Sequence, residues 1–223
     1  MAHSDRPPLE RILRQPRMRE AFRLLAEDLS GADLTSVLLE VFRRRAERVT
    51  PAELMRRLNR DRFVAPTPTP FSGLRTVEEA CLRALPERFE RVVLAPVAPL
   101  GTHSVMATVD QNKVVSTIRS TEVAADPTNG LALLAARGRK SLLVRDPRSV
   151  ERVRLAAFQR VLRAQRFESS GLSFPHVELL GLVTAGRDVG DHRFERETAE
   201  EHLRVMVDAL LDLGAKECQA RVG

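Results

Sequence analysis

The sequence predicts an α+β protein in which an antiparallel sheet is flanked by helices and preceded by a helical N-terminal subdomain. Two observations support this prediction. Residues 7–62 have helical periodicity, whereas short β-branched runs bounded by Pro, Gly and polar residues recur after residue 71. Between them lies a proline repeat, Pro66-Thr67-Pro68-Thr69-Pro70, which cannot continue a helix. We therefore expect a helical subdomain over residues 1–65, a proline-rich linker over 66–75 and an α+β core over 76–223.

The N-terminal helices are predicted from an apolar stripe and a capping sequence. In the segment ADLTSVLLEVFRRRAERV, apolar residues recur at helical spacing at Leu34, Val37, Leu38, Val41 and Phe42. The next helix begins at Thr50-Pro51-Ala52-Glu53, where Thr50 can cap free amides and Glu53 can reach back to the cap. We expect two or three packed helices.

Arginines dominate the other faces of these helices, and the net charge of the chain is +6. They are Arg43, Arg44, Arg45, Arg48, Arg56, Arg57, Arg60 and Arg62. A solvated helix face explains such a pattern, and so does a face that binds phosphate or RNA. The chain has no Trp or Tyr for stacking on unpaired bases, which weakens the RNA interpretation.

The core is predicted to alternate strands and helices. Its expected strands are 91–101, 113–118, 153–162 and 176–183, with the final KECQARV as one more. One helix should start at Asp126-Pro127, run through Ala136 and end at Gly138. A second, amphipathic helix is expected over 194–213, before Gly214.

The composition excludes several classes of protein. No run of about 18 apolar residues is present, and the first residues lack the apolar stretch of a signal peptide, so we expect a soluble, cytoplasmic protein without a membrane partner. The two cysteines and five histidines have no metal-ligand spacing, which predicts no metal site and reduced thiols. Walker, dinucleotide-binding and Gly-x-Ser-x-Gly motifs are also missing.

Charged residues at strand ends are the candidates for ligand binding. Arg119 and Arg163 each end an apolar run, where a guanidinium can hold a carboxylate or phosphate through two parallel hydrogen bonds. The alternative is a structural ion pair with Glu122 or Glu178, and these acids could equally bind an amino group. His176 opens a strand after a polar loop and could contact a ligand.

Three segments occur in an order that resembles the catalytic core of class II aminoacyl-tRNA synthetases, in particular their histidyl-like branch. LRALPERFERVVLAP, within 76–96, resembles motif 1, which builds the dimer interface of that family. STIRSTEV resembles the Leu-Arg-Pro-Glu region that helps to hold the amino acid. RVLRAQRFESSGLSFPHVELLGLV resembles motif 2, with Arg163 on the arginine that binds the ATP α-phosphate and His176 near the aromatic residue that stacks on adenine.

The resemblance implies a homodimer and a ligand site, with an amino acid or nucleotide as the small-molecule partner and ATP as the candidate cofactor. The implied ligand-binding residues are Arg119, Glu122, Arg163, Gln165, His176 and Glu178. Gln165 departs from the pattern, because motif 2 usually has Glu there. No Gly-x-Gly-x-Arg resembling motif 3 follows residue 183.

Three interpretations remain open on the sequence. The first is a non-catalytic paralogue that binds an amino acid, an aminoacyl nucleotide or a similar small anion in a regulatory or accessory role. The second is an adenylate-forming or aminoacyl-transfer enzyme whose third motif has diverged or lies outside this chain. The third is a protein that binds RNA through its arginine-rich N-terminal helices.

Overall fold

The described part of the protein combines helices with two small sheets. The computed structural model describes residues 7–165 and 174–219. The helices are α1 Pro7–Leu13, α2 Pro16–Arg23, α3 Gly31–Ala46, α4 Pro51–Arg60, α5 Phe71–Ala84, α6 Thr102–Met106, α7 Pro127–Arg145 and α8 Arg193–Asp212. The strands are β1 Glu90–Arg91, β2 Val97–Pro99, β3 Thr121–Val123, β4 Val153–Leu162 and β5 His176–Ala185. A π-helical turn, Leu24–Asp28, continues α2, and a 3₁₀ turn covers Gln111–Lys113.

The chain divides into two compact units. The first contains residues up to Arg56 together with 118–120, and the second contains 57–117 and the residues from Thr121 onward. In the first unit, the Ser30 side chain caps α3 by accepting a hydrogen bond from the Asp33 amide at 3.1 Å. Thr50 caps α4 in the same way, through the Glu53 amide at 3.2 Å. Both α3 and α4 thus begin at residues with a side-chain oxygen placed to satisfy a free amide.

Several arginines of these two helices form ion pairs along their own helix. Arg43 and Arg44 both contact Glu40, and Arg56 contacts Glu53. These pairs are solvent-exposed, and pairs of this kind stabilise a helix by only a few tenths of a kcal/mol. This part of the arginine-rich surface therefore agrees with a solvated helix face.

The larger sheet of the second unit has the strand order β1-β4-β5. Strands β4 and β5 are antiparallel over their whole length, from Val153 opposite Ala185 to Leu162 opposite His176. The small β2–β3 sheet is also antiparallel. The prediction of antiparallel pairing is thus confirmed for these two pairs, but it is wrong for β1, which pairs parallel to β4. The chain returns to β4 through the long helix α7, and a crossover of this kind produces parallel neighbours.

Helices cover both faces of the larger sheet. On one face α7 places Leu131 and Ala135 against Leu155 and Ala157 of β4. On the other face, Leu85 and Phe89 of the segment between α5 and β1 and Val205 of α8 pack around Ala156 and Leu182. Successive residues of β4 thus point into two different cores, as the pleat of a strand requires.

Helix α7 extends beyond its predicted end because of a tight helix–sheet contact. Gly138 was expected to end the helix, but α7 continues through it to Arg145. A Cβ atom at Gly138 would lie 3.3 Å from both methyl groups of Val153, and one at Gly181 would lie 2.9 Å from the ring of Pro127. Both glycines therefore let α7 approach the sheet closely, and Gly138 serves packing rather than helix termination.

Three other strand predictions need correction. The predicted strand 91–101 is split into β1 and β2, with Pro96 before β2 unable to donate a ladder hydrogen bond. In the predicted strand 113–118, only Ser116 forms a bridge, opposite Glu122. Residues 216–219 of the predicted last strand are not in a strand, and the remainder of that strand lies outside the described residues. Strand β4 has its predicted bounds, while β5 and α8 differ from theirs by one or two residues.

No helix in the ranges 7–165 and 174–219 has the length and apolarity needed to cross a membrane. The same ranges contain no cluster of His, Cys, Asp and Glu that could hold a metal ion. Cys81 and Cys218 are free and half-buried. Burial raises the pKa of the Cys81 thiol above its ordinary value.

Candidate functional site

The candidate site is built around a carboxylate that is completely removed from solvent. Glu122 of β3 is 0% exposed. Its oxygens accept hydrogen bonds from the amides of Gly101 at 2.9 Å and His103 at 2.8 Å, from the Gln111 side chain at 2.7 Å and from the His103 ring at 2.7 Å. Burial alone would raise the pKa of Glu122, but these donors outweigh burial and lower it to about 2. Glu122 is therefore ionised, and its hydrogen bonds offset the loss of water.

His103 connects this carboxylate to the start of α7. Its Nε2 atom accepts hydrogen bonds from the amides of Ala125 at 2.8 Å and Asp126 at 3.3 Å. Backbone amides only donate, so Nε2 carries no proton and the hydrogen-bond network assigns the proton to Nδ1. Nδ1 then donates to Glu122 Oε1. The buried imidazole is a neutral bridge with both ring nitrogens engaged.

Asp126 receives the next contact in this series. Its Oδ1 atom caps α7 by accepting hydrogen bonds from the Thr128 amide at 2.9 Å and the Thr128 hydroxyl at 2.6 Å. Its Oδ2 atom accepts a hydrogen bond from the Arg163 guanidinium at 3.2 Å, and Arg163 Nε donates to the Ala125 carbonyl at 3.1 Å. These two bonds use two of the five N–H donors of the guanidinium, so other donors remain available to a ligand.

A pocket of about 260 Å³ opens beside this arginine. Its polar lining consists of His103, Lys113, Asp126, Thr128, Asn129, Arg163 and Gln165, and its apolar lining consists of Ala107, Val109 and Ala125. With His103 neutral, two cationic side chains face one carboxylate, which leaves one positive charge in excess. The N-terminal end of α7 contributes a further positive potential. The pocket is therefore suited to an anion or a zwitterion.

The structure brings only some of the predicted site residues together. Arg163 and Gln165 line the pocket, and Glu122 lies behind it, contacting His103. Glu122 is fully engaged and buried, so its role is to support the pocket wall. Arg119 belongs to the 118–120 segment of the first unit.

His176 and Glu178 lie on the opposite face of the β4–β5 hairpin from Arg163. His176 Nδ1 accepts a hydrogen bond from Arg160 at 2.9 Å, and its Nε2 contacts the Ala65 carbonyl at 2.7 Å. Glu178 pairs with Arg160 at 3.5 Å and lines a separate depression of about 310 Å³. Arg163 and Glu178 thus each form an ion pair, but with partners other than those expected. Asp126 pairs with Arg163, and Arg160 pairs with Glu178.

The sequence patterns did not identify several residues of the site. His103 and Lys113 carry no motif, and Asp126 was identified only as the start of a helix. Arg62, assigned to the charged helix face, donates to the carbonyls of Ala164 and Gln165 and so holds the segment that follows β4. For these residues, the one local signal in the sequence was Asp126-Pro127, a helix-capping Asp followed by Pro.

Comparisons with known proteins find similarity among solved structures. No model of a protein family and no curated protein matches the sequence. Among solved structures, it is similar to an ATP phosphoribosyltransferase regulatory subunit/histidyl-tRNA synthetase from Bacillus halodurans, with 20% identity and a TM-score of 0.48 over 70% of this chain and 38% of that one. Two structures of pyrrolysyl-tRNA synthetase from Desulfitobacterium hafniense match with 16% identity and a TM-score of 0.48 each.

The two pyrrolysyl-tRNA synthetase matches cover 71% and 97% of this chain, and 50% and 62% of the matched chains. This chain therefore spans less than two thirds of the length of each of the three structures. The resemblance to class II synthetases that the motif order indicates is confirmed by these matches as a modest structural similarity.

The hydrogen bonds of the buried Glu122 carboxylate predict that neutralising this side chain lowers the stability of the protein. Glu122→Gln keeps the side-chain volume but turns an amide donor toward backbone and side-chain donors. We expect a loss of about 1–3 kcal/mol of unfolding free energy at neutral pH for each donor left unsatisfied, measured by urea denaturation. Glu178→Gln, which removes an exposed pair, should cost about 0–1 kcal/mol.

The advantage of the wild type over Glu122→Gln should decrease as the pH falls. The folded-state pKa of Glu122 is about 2 and its ordinary value is 4.5, so the unfolded chain binds this proton first on acidification. The stabilisation is complete above the ordinary value and disappears as the pH falls toward about 2. A difference between the two proteins that stays constant over this range would contradict an ionised Glu122.

Proposed function

We propose that this chain is a synthetase-like paralogue that binds a small anionic or zwitterionic molecule, such as an amino acid or an aminoacyl nucleotide, in the pocket beside Arg163. The observation that supports this proposal is the placement of Arg163. It directly follows β4, is held by the Ala125 carbonyl and Asp126, and keeps further N–H donors at the pocket wall. A guanidinium fixed in this way can bind a carboxylate or phosphate with little loss of side-chain entropy.

The size of the pocket favours a ligand of amino-acid size. Pockets for drug-sized ligands have volumes of about 300–1,000 Å³. The volume here is about 260 Å³, below that range. An amino acid, with one carboxylate and one ammonium, also matches two cationic side chains and one carboxylate. The ammonium would face Asp126, and the carboxylate would face Arg163 and Lys113.

We propose a regulatory or accessory role in place of catalysis. Adenylate formation depends on positioned positive charge that stabilises the phosphates in the transition state. The sequence after residue 183 contains no Gly-x-Gly-x-Arg to supply the second arginine of such a site. Binding without adenylation accounts for an arginine at position 163 in a sequence that has no such motif after residue 183.

Ligand binding should depend on Arg163 and not on Arg160, the matched arginine in β4. In a thermal-shift screen of ATP and the amino acids, we expect at least one compound to raise the melting temperature of the wild type. Arg163→Ala should abolish that shift and cost about 0–1 kcal/mol of stability, because its ion pair with Asp126 is about one third exposed. Arg160→Ala, on the opposite face, should keep the shift.

Three results would count against this proposal. Equal loss of binding in Arg163→Ala and Arg160→Ala would mean that neither arginine acts specifically. A loss of about 3–5 kcal/mol of stability in Arg163→Ala would identify the arginine as half of a structural pair. Robust amino-acid-dependent pyrophosphate exchange by the purified wild type would replace the paralogue proposal with an adenylate-forming enzyme.

We further propose that the chain forms a homodimer through the segment 76–96. Strand β1 is an edge strand of the larger sheet, and Val93, which follows it, is 100% exposed. Val77 on α5 is also exposed. An uncovered edge beside apolar side chains is a surface on which a second copy can pack.

Light scattering at micromolar concentration should therefore give twice the mass of one chain. Val93→Lys should shift the mass toward the monomer, because it places a charge in the interface. Val144→Lys is the control: Val144 is 78% exposed near the end of α7, outside the segment 76–96, and its substitution should leave the mass unchanged. A monomeric wild type would overturn the dimer proposal.

A further inference from the structure

Asn129 in the first turn of α7 is a buried polar residue without a visible partner. It is 7% exposed and lines the pocket beside Arg163. Within residues 7–165 and 174–219, its side-chain amide makes no hydrogen bond, and both amide atoms keep some accessible surface. A primary amide offers two donors and one acceptor. Because little of the residue is exposed and it lines the pocket, this accessible surface faces the pocket.

Two polar neighbours of Asn129 in the pocket, His103 and Asp126, are already engaged. Both ring nitrogens of His103 are used, one by Glu122 and the other by the amides of Ala125 and Asp126. The Asp126 carboxylate caps α7 with one oxygen and accepts from Arg163 with the other. The Asn129 amide is therefore available to hydrogen-bond the contents of the pocket.

We infer that Asn129 is a specificity-determining residue that hydrogen-bonds an uncharged polar group of the ligand. This inference rests on the proposed function, in which Arg163 and Lys113 hold the anionic end of the same molecule. The ligand class is then a small carboxylate that also carries a hydroxyl, carbonyl or amide group. An apolar side chain of the same shape would leave the Asn129 amide buried and unsatisfied, so the pocket discriminates against it.

The inference also predicts that Asn129 serves ligand recognition and not stability. In the unliganded protein, the Asn129 amide faces the space of the pocket and makes no hydrogen bond to another described residue, so replacing it removes no protein hydrogen bond. Asn129→Leu has nearly the same shape and removes the polar group. Its melting temperature without ligand should equal or exceed that of the wild type, which is the opposite of what a structural asparagine would show.

The test compares two pairs of probes that differ in one polar group. L-asparagine and L-leucine form one pair, and L-threonine and L-valine form the other; within each pair the carboxylate and the ammonium are the same. By calorimetric titration, the wild type should bind the polar member of at least one pair about tenfold or more tightly than its apolar partner. Asn129→Leu should abolish this preference or reverse it, while Arg160→Ala should retain it.

The outcomes separate this inference from the proposed function. Equal affinity of the wild type for both members of each pair, or an unchanged preference in Asn129→Leu, would overturn the role of Asn129 while leaving Arg163-dependent binding intact. A lower melting temperature of unliganded Asn129→Leu would likewise assign Asn129 to structure. If none of the four probes binds but another compound of the screen does so through Arg163, the inferred ligand class is wrong and the proposed function stands. If no compound binds, both fall.

Discussion

The buried carboxylate of Glu122 is the constraint on which the arrangement of the candidate site depends. An ionised group without access to water is costly unless hydrogen bonds replace its hydration. Glu122 obtains four of them, from the amides of Gly101 and His103, the His103 ring and Gln111. These donors belong to the start of α6 and to the 3₁₀ turn at Gln111–Lys113, so one side chain connects the two short helical segments between β2 and β3.

The His103 ring connects the buried Glu122 carboxylate to the pocket wall. Because Nδ1 keeps its proton and donates it in a hydrogen bond to Glu122, the Nε2 lone pair accepts from the amides of Ala125 and Asp126 just before α7. Asp126 then has a fixed position from which it caps the helix and pairs with Arg163. On the other side, Gly181 allows Pro127 to pack directly on the sheet. The start of α7 is thus held from two directions, which keeps the pocket wall rigid before any ligand arrives.

The sequence pattern predicted the helices and strands whose bounds depend on the residues within them. The bounds of β4 and the length of α8 follow from apolar periodicity, and the strand end at Arg163 follows from the same pattern. The parallel pairing of β1 was not predictable in this way, because it depends on how far the chain travels before it returns to the sheet. Gly138 shows a related difficulty: a glycine ends a helix or permits close packing, and only the neighbouring Val153 decides between the two. Glu122 was predicted to contact a ligand or an arginine, yet its partners are a histidine ring and loop amides around 20 residues away in sequence.

The protonation state of His103 tests this account most directly. Long-range ¹H–¹⁵N correlation spectra of the ¹⁵N-labelled chain, with His103→Gln to assign the resonance, report which ring nitrogen carries the proton. The account predicts a neutral ring at neutral pH, protonated at Nδ1 and unprotonated at Nε2, because two backbone amides donate to Nε2. A ring protonated at Nε2, whether neutral or as the imidazolium, would contradict the connection from Glu122 to the start of α7.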